Sequence, residues 1–191
     1  MLFKIIFFFN RAPLKIAFEK GNIEIFNLLL NYKGIQFGDS VLKSCTNLKE
    51  ITIPSSVTII DDKAFSGCSS LKQISIPNTV VSLGNEVFKG CTSLENITIP
   101  SSVNSIGSGA FYECSSLIRI TIPPSVTIIN KYTFAQCSLL KEISIPSSVT
   151  SICRFAFDRC TSLTKITIPS SVTEIGWSVF SDCWSMNEIT N

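Results

Sequence analysis

The feature that most restricts this chain is a period of 23 residues. Cysteines stand at 45, 68, 91, 114, 137, 160 and 183, prolines at 54, 77, 100, 123, 146 and 169, and phenylalanines at 65, 88, 111, 134, 157 and 180. Three residue types in fixed mutual register exclude coincidence, and a period of this length marks a stacked-repeat architecture. The unit reads C-[ST]-x-L-x-x-I-[ST]-I-P-x-[ST]-V-x-x-[IL]-G-x-x-[AV]-F-x-x. Six full copies run from Cys45 to Asp182, and a partial copy follows from Cys183 to Asn191. The stretch from Phe37 to Cys45 fits the second half of a degenerate unit. The array therefore covers residues 35–191 and leaves 1–34 as a separate segment.

Within one unit, Ile74-Ser75-Ile76 alternates apolar and polar, the pattern of a half-buried strand. Ser75 and its counterparts (Thr52, Thr98, Thr121, Ser144, Thr167 and Thr190) point outward. Pro77 has no N–H to give a central ladder and ends the strand. Val80 and Leu83 turn inward again, Gly84 permits a tight bend, and Val87, Phe88 and Cys91 close the loop as one helical turn. With Leu71, Ile74 and Ile76 this makes eight inward positions per unit. One such unit cannot offset the entropy of ordering its backbone. Stacked units bury both faces and share ladder hydrogen bonds, so stability comes from neighbours. The expected architecture is a solenoid with a parallel β-sheet on one face and short strands or helical turns on the other. At ~4.8 Å per ladder step, six units span about 29 Å.

The L-x-x-I-x-I core resembles leucine-rich repeats. The fuller pattern I-P-x-x-V-x-x-I-G-x-x-A-F-x-x-C, shown by Gly107, Ala110, Phe111 and Cys114, resembles the BspA-type subclass of surface antigens from bacteria and protists. That resemblance implies a leucine-rich-repeat solenoid and adhesion to host or matrix proteins at a cell surface; bacterial members are associated with fibronectin and fibrinogen. The chain departs from the pattern in two ways. Hydroxyls (Ser56, Thr79, Ser102, Ser125, Ser148 and Ser171) replace the buried asparagine of many leucine-rich repeats. Asn130 and Cys153 stand where glycine is expected, which predicts distorted bends there.

Residues 1–34 carry a net charge of +3, against −1 for the rest. Ala12-Pro13-Leu14-Lys15-Ile16-Ala17 and Gly21-Asn22-Ile23-Glu24-Ile25, followed by Leu28-Leu29-Leu30, resemble one ankyrin repeat, with Lys15 in place of histidine and Ala12 in place of threonine. The expectation is a helical hairpin or cap over the N-terminal end of the array; a remnant of a longer ankyrin array is the rival. The run MLFKIIFFF has only five apolar residues after Lys4 and no A-x-A-like site follows, so it reads as an apolar segment packing on those helices rather than a signal peptide. No apolar run approaches the ~20 residues of a transmembrane helix.

Chemistry is largely excluded. With no histidine, Ser-His-Asp and Cys-His triads and His-containing metal sites are impossible. There is no C-x-x-C, no G-x-G-x-x-G and no phosphate-binding loop motif. Asp61-Asp62 is the one adjacent carboxylate pair, and turn chemistry explains it. The cysteine column lies in phase with the core and reads as buried structural thiols, because a parallel ladder points all its Cβ atoms one way. Cys153 is off register, yet no histidine can activate it. The protein is read as a non-enzyme without cofactors. A net charge of +2 with no basic stripe argues against nucleic acid.

What remains is surface. The outward strand positions Lys72, Gln73, Glu95, Asn96, Ile118, Arg119, Lys141, Glu142, Thr164 and Lys165 form a candidate protein-binding face, with Ile118 its one large apolar residue. An ordinary solvated sheet face is the plainer alternative. Asn96-Ile97-Thr98 is the one glycosylation sequon, relevant only to a secreted chain. Tyr132 and Phe155 share a loop position in consecutive units and Trp177 follows one position earlier in the next. This aromatic patch either anchors a partner or, the preferred reading, shields the C-terminal end. The array stops one strand into a unit, which predicts an open ladder edge and end-to-end self-association. The expected partner is a protein of unknown identity. Location divides two readings: a surface adhesin, by resemblance, or an intracellular scaffold, favoured by the unpaired cysteines and the unconvincing leader.

Overall fold

The computed structural model describes residues 12–31 and 36–190. Helix α1 (Ala12–Glu19) ends at Gly21, which adopts φ +67° while the N–H of Asn22 reaches the carbonyl of Ala17 at 2.9 Å. Asn22 then caps helix α2 (Ile23–Leu30), its side chain accepting from the N–H of Ile25 at 3.1 Å. Phe18 and Phe26 hold the two helices together, ring to ring at 5.5 Å. Leu14, Ala17, Phe26 and Leu30 are buried in the same core as the repeats, and the Lys15 ammonium donates to the carbonyl of Lys43. The MLFKIIFFF run lies outside the described residues.

From Phe37 onward the chain is a parallel β-solenoid. One row of strands comprises β1 (Glu50–Thr52), β3 (Gln73–Ser75), β5 (Asn96–Ile97), β7 (Arg119–Ile120), β9 (Glu142–Ser144), β11 (Lys165–Thr167) and β13 (Glu188–Thr190). A second row comprises β2 (Ile59–Ile60), β4 (Ser82–Leu83), β6 (Ser105–Ile106), β8 (Ile128–Ile129), β10 (Ser151–Ile152) and β12 (Glu174–Ile175). Partners stand 23 residues apart, as in Ile51 beside Ile74 and Ile152 beside Ile175, so the sequence period is the pairing register.

The third side of each turn holds no helix. Two residues per unit sit in the left-handed region, for example Glu86 (φ +52°) and Gly90 (φ +69°), and they break any helical run. Lys89 and Cys91 donate to Glu86 and Phe88 in isolated turns. The N–H groups of Glu86, Phe88 and Gly90 instead cross to the carbonyls of Ser108, Ala110 and Tyr112 in the next unit, each at 2.8 Å. On the strand side Val81 and Gly84 donate the other way, to Thr58 and Ile60 of the preceding unit, both at 2.8 Å, while Ile53 and Ile168 donate forward to Ser75 and Thr190. Each unit therefore satisfies its backbone only between two neighbours.

All eight inward positions are buried: Leu71, Ile74, Ile76, Val80, Leu83, Val87, Phe88 and Cys91. Phe65, Phe88, Phe111, Phe134, Phe157 and Phe180 form a spine of near-parallel rings with centroids 5.4–5.6 Å apart. The hydroxyls that replace asparagine make a ladder: Thr79, Ser102, Ser148 and Ser171 donate to the carbonyls of Val57, Val80, Val126 and Val149 at 2.6–2.8 Å.

Gly84 is needed for space rather than for its φ. A Cβ there would sit 2.4 Å from the backbone N of Asp62, and one at Gly107 would meet the backbone of Asn85 and Gly84 at 2.5 Å. The left-handed positions lie elsewhere in the unit. Of the two expected distortions one occurs. At Asn130 the side-chain amide donates to the carbonyl of Ile106 at 2.8 Å, in the place that Gly107 fills with its backbone N–H toward Leu83. Strands β6 and β8 are unpaired at this step. Cys153 keeps the ordinary bond, from its N–H to Ile129 at 2.8 Å.

Candidate functional site

Two surfaces carry the side chains singled out above. The first is the outer face of the β1–β13 row. Lys72, Gln73, Glu95, Asn96, Arg119, Lys141, Glu142, Thr164 and Lys165 are all exposed there, while Ile118 is half-buried and so a poorer anchor than its sequence position suggests. Register sets their order. Asn96 pairs with Arg119, and Glu142, Lys165 and Glu188 stand in line, the Lys165 ammonium 3.0 Å from the Glu188 carboxylate. A row of hydroxyls runs alongside, with the Thr167 and Thr190 oxygens 2.9 Å apart. At the N-terminal end, α2 overhangs this face. Phe26, Leu30 and Asn31 form one wall and Glu50, Thr52 and Gln73 the other of a groove of about 510 Å³. The groove was not legible in the repeat pattern, because it arises where the helices meet the first strands.

The second surface is the outer corner of the turns. Tyr132 stacks on Phe155 at 4.9 Å, and Phe155 meets Trp177 edge-on at 4.4 Å. The three predicted aromatics therefore form one ladder. Tyr112, which sequence reasoning missed, joins it at 6.2 Å from Tyr132. It sits three residues further round its unit, so no shared column announced it; its hydroxyl accepts from the Gln136 amide at 3.0 Å. The Arg154 guanidinium lies 5.3 Å from the Trp177 ring. Tyr132 and Phe155 both take φ +58°. Lys63, Glu86, Gly109 and Ser178 take the same left-handed backbone at this position in the other units, so it belongs to the repeat rather than to the patch.

The thiols are structural. All eight cysteines are free. Cys91, Cys114, Cys137 and Cys160 donate to the carbonyls of Phe65, Phe88, Phe111 and Phe134 at 3.1–3.3 Å. Burial pushes the Cys91 thiol up to about 12 and lifts Cys114 and Cys137 too, so these three are not ready nucleophiles, while at the two ends of the column hydrogen bonds from Cys68 and Cys160 lower Cys45 and Cys183. Cys153 is half-buried. Among the described residues no cluster of Cys, Asp and Glu could hold a metal ion, and no helix is long and apolar enough to cross a membrane.

Toward its C-terminal end the solenoid shows apolar groups that are buried further back. Ile175 is 55% exposed where Ile152 is fully buried, and Ile189 is 57% exposed where Ile166 is fully buried. Among the described residues Trp184 is the most exposed large apolar side chain, at 80%.

Registered parallel strands, one phenylalanine spine and inward L-x-x-I-x-I positions define a leucine-rich-repeat solenoid. The sequence profile of the BspA-type leucine-rich repeat region, in six copies, matches residues 33–153 and 127–191, and the chain belongs to that family. A leucine-rich repeat protein from Bacteroides ovatus is 34% identical with TM-score 0.69, over 81% of this chain and 46% of its own. The chain thus spans about half the length of that relative. A leucine-rich repeat protein from T. pallidum is 26% identical with TM-score 0.76, over 83% of this chain and 75% of its own. A leucine-rich cell surface protein from Faecalibacterium prausnitzii is 26% identical with TM-score 0.50, over 80% and 62%. No curated protein matches significantly.

Proposed function

We propose that this protein is a non-catalytic binding solenoid that presents the outer face of its β1–β13 row to a protein partner, in the manner of a cell-surface adhesin. The observation that carries the reading is the fixed register of that face. Asn96 and Arg119 are held side by side on one registered pair of strands, and Glu142, Lys165 and Glu188 on the next registered set, as a recognition surface requires. The similarity to a cell surface protein from Faecalibacterium prausnitzii supports a surface role. In this reading α1 and α2 cap the first unit and narrow one end of the face.

The test is accessibility. Antibody or protease should reach the native protein on intact cells, and a screen of matrix proteins should then find a partner whose affinity falls at least tenfold in an Ile118→Ala, Arg119→Ala double variant. Reactivity only after permeabilisation would sink the adhesin reading. One observation favours the second reading, an intracellular scaffold joining helical and leucine-rich modules. All eight cysteines are free, which suits a reducing compartment. A pull-down from cytosol would then identify its partners.

A further inference from the structure

The outer corner of the turns carries a charge order that the protein-binding reading does not use. The residue seventeen places after Cys45, Cys68, Cys91, Cys114 and Cys137 is Asp62, Asn85, Ser108, Lys131 and Arg154 in successive units, and after Cys160 it is Trp177. The corner is thus acidic at one end, neutral and small at Ser108, and cationic at the other. Among the described residues, no ion pair engages Asp62, Lys131 or Arg154. The Asp62 carboxylate accepts from the Asn85 backbone at 2.6 Å and from its amide at 3.1 Å, which orients it along the corner without neutralising it. Beside the cations stand Tyr132 and Phe155 on left-handed backbone. At the midpoint the adjoining position is Gly109, which takes the same left-handed turn at φ +62° without a side chain.

We infer that the protein self-associates side by side, a second copy turned end for end docking corner to corner about a two-fold axis at Ser108 and Gly109. A two-fold axis lying across the ridge keeps each column facing itself and reverses the order of the units. Asp62 then meets the partner's Arg154, and Asn85 the partner's Lys131. In the neighbouring column the alkyl stem of Lys63 packs on the rim of the partner's Phe155, and Glu86 meets the hydroxyl of the partner's Tyr132. Each contact occurs twice. The charged pairs lie two ladder steps, about 10 Å, either side of the axis. The small residues at the axis let the two ridges approach, and the aromatics supply the apolar contact. A ridge about 29 Å long and two columns wide falls short of the ~800 Å² per partner of a standard interface, so the dimer is weak and salt-sensitive. This leaves the β1–β13 face of both copies open.

Sedimentation equilibrium of the full chain tests it. At low salt, about 20 mM, the expected result is a monomer–dimer equilibrium that weakens at least tenfold near 300 mM. Arg154→Asp alone and Asp62→Arg alone should each weaken it at least tenfold by placing like charges opposite one another. Mixing the two single variants should restore the dimer as a heterodimer, because both opposed pairs become attractive again. Phe155→Gly should weaken association, and the left-handed backbone that glycine accepts offsets part of the lost packing on Tyr132 and Trp177. A monomer at every concentration would overturn the proposal and leave the ridge to an acidic partner protein. Association untouched by Arg154→Asp but lost in Ile189→Lys would overturn it in favour of end-to-end contact.

Discussion

At the residue scale, the repeat cysteine does two jobs with one side chain. It fills an inward position, and its thiol gives a second hydrogen bond to a phenylalanine carbonyl that already accepts from its own turn, as Phe65 does from the N–H of Cys68 and the thiol of Cys91. That arrangement has a pH signature. Cys91 is raised by burial from 9.0 to about 12. The folded thiol stays protonated where the unfolded one ionises, so its stabilisation is complete below pH 9 and is lost as pH climbs toward 12. Urea titrations across that range should show Cys91→Ala with a shallower alkaline loss, by about 1.4 kcal/mol per pH unit. The burial of the cysteine column from Cys45 to Cys160 was legible in the sequence because its period locked it to the core, while Cys183 is half-buried. The role of Gly84 was not legible. A glycine in a turn suggests backbone freedom, and only coordinates reveal that the backbone of Asp62 lies 2.4 Å from where a Cβ would be.

At the scale of the element, each strand is only two or three residues long and none could persist alone. The first strand row was implied by the apolar alternation of Ile74-Ser75-Ile76, and the second only as short strands or helical turns on the opposite side. The turn segment was misread as helical, because Val87, Phe88 and Cys91 fall at near-helical spacing while the left-handed residues between them include Glu86, which nothing in its chemistry marks for that backbone. The second strand row is interrupted at the step from β6 to β8, where the amide of Asn130 stands in for a main-chain donor. Asn130→Gly should return the N–H to Ile106 and close the rung. Stability should rise by about 0.5–1.5 kcal/mol, seen as a higher urea midpoint with unchanged m-value. Hydrogen exchange at Ile128 and Ile129 should slow in the same variant.

At the scale of the molecule, stability is a sum over units and the contacts between them. Removing residues 91–113, one whole unit, takes 23 of 191 residues and joins Gly90 to Cys114 in perfect register. The shortened chain should fold cooperatively with an m-value lower by roughly one eighth, as surface scaling requires. Removing 22 residues from the same place should instead abolish cooperative unfolding, because every inward side chain beyond the join would slip by one position. The candidate binding face could be named residue by residue from the sequence, since register follows from the period. The aromatic ladder was legible only in part: Tyr132, Phe155 and Trp177 nearly share a column, but Tyr112 reaches them across the turn. The groove under α2 was invisible, being made by two patterns with no common period.

The main-chain hydrogen bonds that each unit makes to the unit before it and to the unit after it have a consequence for heredity. Each unit offers its neighbours the same set of main-chain donors and acceptors whatever its surface side chains are. A gene encoding such units will tend to misalign with itself during copying, and a slip by one whole unit yields a protein whose interior is as complete as before. The fold therefore tolerates the very errors that its own repetition invites, and lineages can lengthen, shorten or reshuffle the displayed surface without first solving a new folding problem.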